Sequence, residues 1–345
     1  MQSRERCQAA EGAGEGASEV FDSPEERSWF ARVPYSRRAG PPEPLPAGLV
    51  DLLVSRALRE DVGTGDVTSE ATVPAGARAR ARLVSKASGR IAGLAVFRRA
   101  FELCDPSCRF EALVTDGNSI EPGDEVARVE GGAYALLTAE RTALNFVQRM
   151  SGIATLTRLF VDAVEREAGA HGNDGGRDAL AGPVRILDTR KTNPGLRPFD
   201  KFAVRCGGGE NHRYGLFDEA MVKNNHVDLA GRPLEDVVRD LRLRCGDRFV
   251  ITSEARDEAE AEAGVRGGAD VVLLDNMSPE RMSALVPKLR GLAAGRGRSL
   301  ELEASGGVDL ATISRIARTG VDRISIGALT HSAPALDLSL RLESL

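Results

Sequence analysis

The sequence predicts an α/β protein: a parallel β/α barrel or an open doubly wound sheet in the C-terminal half, preceded by a smaller α+β unit. Three observations predict it. Beyond residue 182, short strand-like segments alternate with helical ones. The polar residues of those strands gather at their carboxyl ends. Before about residue 135, a helical pattern gives way to Val/Ile-containing segments broken by turns such as DGNSIEPGDEV. A chain of 345 residues has room for one large barrel domain and a smaller one.

In chain order, residues 1–45 mix Gly, Ala, Glu, Arg and Pro with few large apolar side chains and read as a mobile tail. From Leu49 the stretch LVDLLVSRALRED is helical and opens the smaller unit. A second helix follows in LLTAERTALNFVQRMSGIATLTRLFVDAVERE, with a break expected at Ser151-Gly152. It carries Arg141 beside Glu140 and Asn145. Residues 167–182, rich in Gly and charge, read as an exposed loop in which His171 has no role.

Six strands are then expected, in RILDTR, EAMVKNNH, FVITSEA, DVVLLDNM, SLELEASGG and DRISIGAL. Their carboxyl ends hold Asp188, Arg190 and Lys191; Lys223, Asn224 and His226; Glu254; Asp275 and Asn276; Ser305, Gly306 and Gly307; and Gly327. In a β/α barrel these ends converge on the face where active sites lie. Six strands therefore aim polar groups at one pocket.

Composition excludes several classes. With 46 Lys+Arg against 51 Asp+Glu the net charge is -5, which opposes a general nucleic-acid binder. Five cysteines without a paired CxxC argue against a zinc ribbon or a disulfide framework and suit a reducing cytoplasm. No apolar run reaches the length of a membrane helix, and the opening residues lack a signal-peptide core.

The expected pocket is cationic. Arg190, Lys191, His212, Arg213 and Lys223 surround the carboxylates Glu254 and Asp275. Arginine forks match carboxylate and phosphate oxygens, so the set suits a phosphorylated or multiply carboxylated substrate. Two carboxylates beside such a substrate suggest Mg²⁺. The SGG turn at 305–307 and the SIGAL turn at 325–329 end the last two strands, where barrels place phosphates on backbone N–H groups. Gly207-Gly208-Gly209 lacks the frame of a P-loop and reads as a flexible turn. His212, His226 and His331, three of the four histidines, fall in these polar segments, and His212 is the leading candidate.

These segments resemble the quinolinate phosphoribosyltransferase family. The similarity covers about residues 48–343 and rests on EDVGTGDVTS, ERTALNFVQRMSGIAT, DTRKTNPGLR, KFAVRCGGGENHRYGL, MVKNNH, LLDNM, EASGGV and SIGALTHSAPALDLSL, in that order. The resemblance implies transfer of phosphoribosyl from phosphoribosyl pyrophosphate to quinolinate with decarboxylation, assisted by Mg²⁺. It also implies an N-terminal α/β sandwich over 46–155, an open, TIM-like α/β barrel over 156–333, and a segment 334–345 packing back on the first domain. A homodimer with the active site at the subunit interface is implied as well.

Carried over by the resemblance, Arg141 serves the neighbouring subunit's quinolinate, and Arg190, His212, Arg213 and Lys223 form the wall around the carboxylates, next to Thr189. Lys191 lies near the reacting ribose and pyrophosphate. Glu254 and Asp275 are the acidic pair on the ribose and metal side, and Ser305, Gly306, Gly307, Gly327 and Ala328 hold the 5′-phosphate. The implied catalytic set is Lys191, Glu254 and Asp275.

The chain departs from the family pattern on the strand VITSEA, where two alternating glutamates are usual and Thr252 and Glu254 stand here. Counting back without gaps from Asp275 puts Glu254 on the metal-side glutamate; a shifted alignment puts Thr252 there. Asn193 and Asn224 replace a common Thr and Asp. These departures leave open a paralogous phosphoribosyltransferase for another aromatic acid or a non-catalytic phospho-ligand sensor. A Schiff-base lyase using Lys191 or Lys223 is a further reading from the residues alone.

Overall fold

The computed structural model describes residues 42–171 and 183–345. Most of the expected tail and of the 167–182 loop lies outside the described residues.

Strands β1 (Arg78–Ser85), β2 (Gly89–Arg90), β3 (Arg109–Ala112), β4 (Ser119–Ile120) and β5 (Glu125–Gly132) belong to the first unit. The sequence RARARLVS of β1 alternates: Ala79, Ala81 and Leu83 are buried and the arginines between them are not. The polar face is laddered by ion pairs, with Arg80 on Glu130 at 2.6 Å and on Glu343 at 3.7 Å. The apolar face is covered by the helices Ala47–Val62, Leu94–Cys104 and Ala133–His171, which bury Leu49, Phe97 and Phe101 completely. Helices stacked on one face of an antiparallel sheet make a two-layer sandwich.

The sheet has the order β12-β1-β5-β3, and its outer strand β12 (Leu338–Ser344) comes from the far end of the sequence. All of β12 pairs antiparallel with β1.

The helix Ala133–His171 is continuous for 39 residues, so the break expected at Ser151-Gly152 does not occur. Those small residues serve a crossing instead. A Cβ on Gly152 would lie 2.0 Å from the carbonyl oxygen of Pro334, and Ser151 is fully buried, accepting from the Ala92 N–H at 3.0 Å. Only glycine lets the returning chain pass so close to the helix.

The second unit contains six parallel strands: β6 (Arg185–Leu187), β7 (Ala220–Val222), β8 (Ile251–Ala255), β9 (Val271–Asp275), β10 (Glu301–Ser305) and β11 (Arg323–Ser325). Their order is β6-β11-β10-β9-β8-β7, with helices between most of them. The consecutive strands β6 and β7 sit at opposite ends of this order and share no ladder, so the barrel is open between them. The segment after Gly209 lines that opening: Glu210 bridges Leu187 in parallel, and its N–H donates to Ile186 at 2.8 Å.

Candidate active site

Polar residues stand at or just beyond the carboxyl ends of the six strands, although β6, β10 and β11 also open on charged residues. A pocket of about 170 Å³ lies at those ends. Thr189, Arg190 and Lys191 line it after β6, Met221 and Lys223 on and after β7, and Glu254, Asp275 and Ser305 from the next three strands. His212 and Arg213 reach it from the segment in the opening.

That segment is held by a buried hub. Asp188, with no exposed surface, accepts from Lys201 Nζ at 2.6 Å, from the His212 N–H at 2.8 Å and from Asn211 Nδ2 at 2.7 Å. Lys201 donates also to the His212 carbonyl at 2.9 Å. Burial lowers the Lys201 pKa, and the Asp188 charge opposes that shift. The sequence marks Asp188 only as a polar strand end; its bond to Lys201 joins two distant motifs and has no local signature.

The cations facing the pocket are differently placed. Among the described residues neither Arg190 nor Lys191 has a carboxylate within ion-pair range, and Arg190 Nε is buried without a hydrogen-bond partner. Burial lowers the Arg190 pKa, and Arg213 and Arg197 add to the shift by repulsion. Arg213 is lowered by burial too, partly offset by Glu219. Adjacent cations without protein counter-charges attract an anion with more than one carboxylate or phosphate. On the opposite wall Lys223 Nζ lies 4.0 Å from Glu254.

His212 lines the pocket and is also anchored within the chain. Its Nδ1 accepts from the Arg213 N–H at 2.7 Å, which puts the ring proton on Nε2, and Nε2 faces Glu303 at 3.3 Å. Nδ1 is thus engaged by the main chain, while Nε2 is buried beside Glu303 without a hydrogen bond. Glu303 is completely buried on β10 and receives Arg323 Nε at 2.7 Å. Burial opposes its ionisation, but His212 and Arg323 overcome this and hold its carboxyl at about 2.

The remaining site candidates border the pocket. Gly306 (φ +91°) and Gly307 (φ +60°) turn the chain after β10, and a Cβ on Gly306 would meet Asn276 Oδ1 at 2.3 Å. Asn276 itself has φ +53°, the one non-glycine residue in that region among those described, directly after Asp275. Gly327 and Ala328 follow β11 and start the short helix Ala328–His331, whose Thr330 hydroxyl donates to the Lys191 carbonyl at 2.8 Å. His226 Nδ1 accepts from the Lys223 N–H at 2.9 Å, and His331 lies against Ser332, so neither histidine lines the pocket. Arg141 is exposed on the long helix and is likewise absent from the pocket of its own chain.

On β8 the structure separates the two residues left open by the sequence. Glu254 lines the pocket, whereas Thr252 is fully buried one layer beneath it and donates to Glu219 Oε1 at 2.5 Å.

Two domain models match the chain: the quinolinate phosphoribosyl transferase N-terminal domain over residues 66–151 and the C-terminal domain over 153–341. The chain belongs to the quinolinate phosphoribosyltransferase family. It is 39% identical over 302 residues to quinolinate phosphoribosyltransferase [decarboxylating] 2a, mitochondrial, of Nicotiana tabacum, covering 84% of this chain and 80% of the relative. It is 37% identical over 288 residues to a probable nicotinate-nucleotide pyrophosphorylase [carboxylating] of Bacillus subtilis, covering 84% and 91%. The crystal structure of NadC from Streptococcus pyogenes superposes with a TM-score of 0.76 at 37% identity, over 88% of this chain and 99% of that one. Family membership thus agrees with the α/β barrel and sandwich described above.

Proposed function

We infer that this chain transfers phosphoribosyl from phosphoribosyl pyrophosphate to the ring nitrogen of quinolinate and releases the 2-carboxylate as CO₂. The products are nicotinate mononucleotide and pyrophosphate, a step of NAD biosynthesis. The observation that carries this reading is the pair Arg190 and Lys191, without a carboxylate in ion-pair range among the described residues, in one pocket with Arg213, Glu254 and Asp275.

The residues divide the work by charge. Arg190 and Arg213 receive the two carboxylates of quinolinate and hold its nitrogen toward the ribose carbon. Lys191 and Lys223 lie where a diphosphate and a carboxylate bring negative charge, and Lys191 stabilises the departing pyrophosphate. Glu254 and Asp275 face the ribose, whose carbon becomes electron-poor as the bond to pyrophosphate breaks. Once the ring nitrogen is quaternised it draws the electrons of the breaking carbon–carboxylate bond, so decarboxylation requires position rather than a separate base. The turns at Ser305–Gly307 and Gly327–Ala328 offer backbone N–H groups to the 5′-phosphate.

The donor set suits Mg²⁺. Among the described residues no three His, Cys, Asp or Glu side chains cluster as a metal cage, while two carboxylates line the pocket. Mg²⁺ is commonly bound this way, by one or two carboxylates together with substrate phosphates. Held by Glu254, Asp275 and the diphosphate, it would neutralise charge on the leaving group.

The exposure of Arg141, away from its own pocket, supports a homodimer in which it serves the partner's site. Among the described residues no helix is long and apolar enough to cross a membrane. The four described cysteines are free, which supports a reducing compartment such as the cytoplasm.

The test is incubation with quinolinate, phosphoribosyl pyrophosphate and Mg²⁺, following nicotinate mononucleotide by chromatography, with nicotinate in a parallel reaction. Product from quinolinate alone is expected, and Glu254→Gln should lower kcat by about 10²-fold or more. Product from nicotinate, or none from quinolinate, overturns the reading.

A further inference from the structure

A buried carboxylate just below the pocket is left unused by the mechanism above. Glu219 is 3% exposed and immediately precedes β7. Because Met221 is the register partner of Thr252, and side chains alternate along a strand, Glu219 falls one layer below Met221 on the interior side. There it receives the Thr252 hydroxyl at 2.5 Å.

Glu219 is coupled to Arg213 by the loop between them. Asp218 accepts from the N–H groups of Tyr214 and Gly215, both at 2.8 Å, and so folds the chain into a tight turn. The turn brings Arg213 Nη1 to 3.4 Å from the Glu219 carbonyl. One edge of the guanidinium is thereby tied down at the floor, and the rest remains for a ligand at the pocket. The Glu219 charge raises the pKa of Arg213, Lys201 and Arg323 against the opposite effect of burial.

We propose that Glu219, held by the Thr252 hydroxyl, is a positioning residue that sets the Arg213 guanidinium for a substrate carboxylate. The proposal rests on the assignment of quinolinate as substrate and extends it to a residue outside the pocket lining. It also gives the hydroxyl of Thr252 a purpose: the strand that lacks a glutamate at 252 receives a carboxylate from its neighbour instead.

The sign of the effect separates positioning from simple charge. Removing a negative charge below a cationic pocket would by itself tighten binding of a dianion. Loss of positioning weakens it, because a misplaced guanidinium forfeits its paired hydrogen bonds. For Glu219→Gln the expected result is a rise of about tenfold in both the Kd and the KM for quinolinate, with the KM for phosphoribosyl pyrophosphate within about twofold of wild type. Thr252→Val, which keeps the carboxylate but removes its anchor, should give a smaller rise in the same direction. The double variant Glu219→Ala/Thr252→Glu returns a carboxylate from β8 and should bind quinolinate more tightly than Glu219→Ala alone.

Quinolinate binding by calorimetry, steady-state kinetics with both substrates varied, and thermal unfolding decide the matter on the full chain. An unchanged or lower quinolinate Kd in Glu219→Gln overturns the proposal, as does an equal rise in both KM values with a lowered Tm. If Glu219→Gln does not fold, Thr252→Val decides alone, and an unchanged Kd there overturns it. Wild-type protein that binds quinolinate without turning it over would sink the catalytic reading while the binding comparison still tests Glu219. Wild-type protein that binds no quinolinate removes both.

Discussion

Lys191 stands exposed at the mouth of the barrel with no carboxylate in ion-pair range among the described residues, while Lys201, on the helix that follows, is 3% exposed and bonded to Asp188 at 2.6 Å. The same contrast separates two arginines. At the mouth Arg190 keeps a buried Nε without a partner; in the interior Arg323 grips Glu303 at 2.7 Å and Glu301 at 3.2 Å. Residue type therefore does not divide function from support here. Pairing does for these four: Lys201 and Arg323 are matched by carboxylates inside the chain, and Arg190 and Lys191 await counter-charges from a ligand.

The strongest challenge to this contrast is Asp188→Ala. It strands the Lys201 ammonium in the interior and frees the segment carrying His212 and Arg213, so a loss of about 3–5 kcal/mol is expected, read from the urea midpoint. Activity should fall with it. An unchanged midpoint would mean that the interior pairs are not structural.

Arg190→Ala should do the reverse. It removes a group with no protein acceptor for its Nε, so stability should stay within about 0.5 kcal/mol of wild type while kcat/KM for quinolinate drops by about 10²–10³-fold. Comparable losses of stability in both variants would erase the distinction between mouth and interior.

Acid sharpens the interior half. The Glu303 carboxyl is held at about 2, below its value in an unfolded chain, so its contribution is complete above the ordinary carboxylate range. It should decline as the pH falls from about 4.5 toward 2. Unfolding free energies measured across that window should drop less in Glu303→Gln than in wild type.

The smallest effect is expected on the sandwich. Arg80 is 39% exposed where it meets Glu130 and Glu343 on the open sheet face, and Arg80→Ala should cost no more than about 1 kcal/mol. A larger loss in thermal or urea unfolding would place this ladder with the interior pairs.

Much of the site is legible in the sequence because barrel topology converts position along a strand into position in space. Asp188, Lys191, Lys223 and Asp275 can each be located by counting from the end of an apolar run. What cannot be read so are contacts between elements distant in sequence. Ser151-Gly152 has the local chemistry of a helix break, and the passage of Pro334 across it is a tertiary fact. His212 stands out by its setting, but the bond that fixes its ring, from the Arg213 N–H to Nδ1, and the buried Glu303 beside Nε2 are not visible in the sequence. Thr252 reads as a missing carboxylate until the register of β7 and β8 puts Glu219 beside it.

The pairing of β12 with β1 carries a consequence for synthesis. Arg82 faces Arg341 across that ladder, and the Leu345 N–H reaches the Arg78 carbonyl at 3.1 Å, so the first sheet needs residues translated after every barrel strand. On the ribosome the sheet cannot be completed until the barrel has emerged, because the strand that pairs with this edge of β1 is translated last. The last domain to be translated can be the first to finish, and the earliest strand is sealed by the latest.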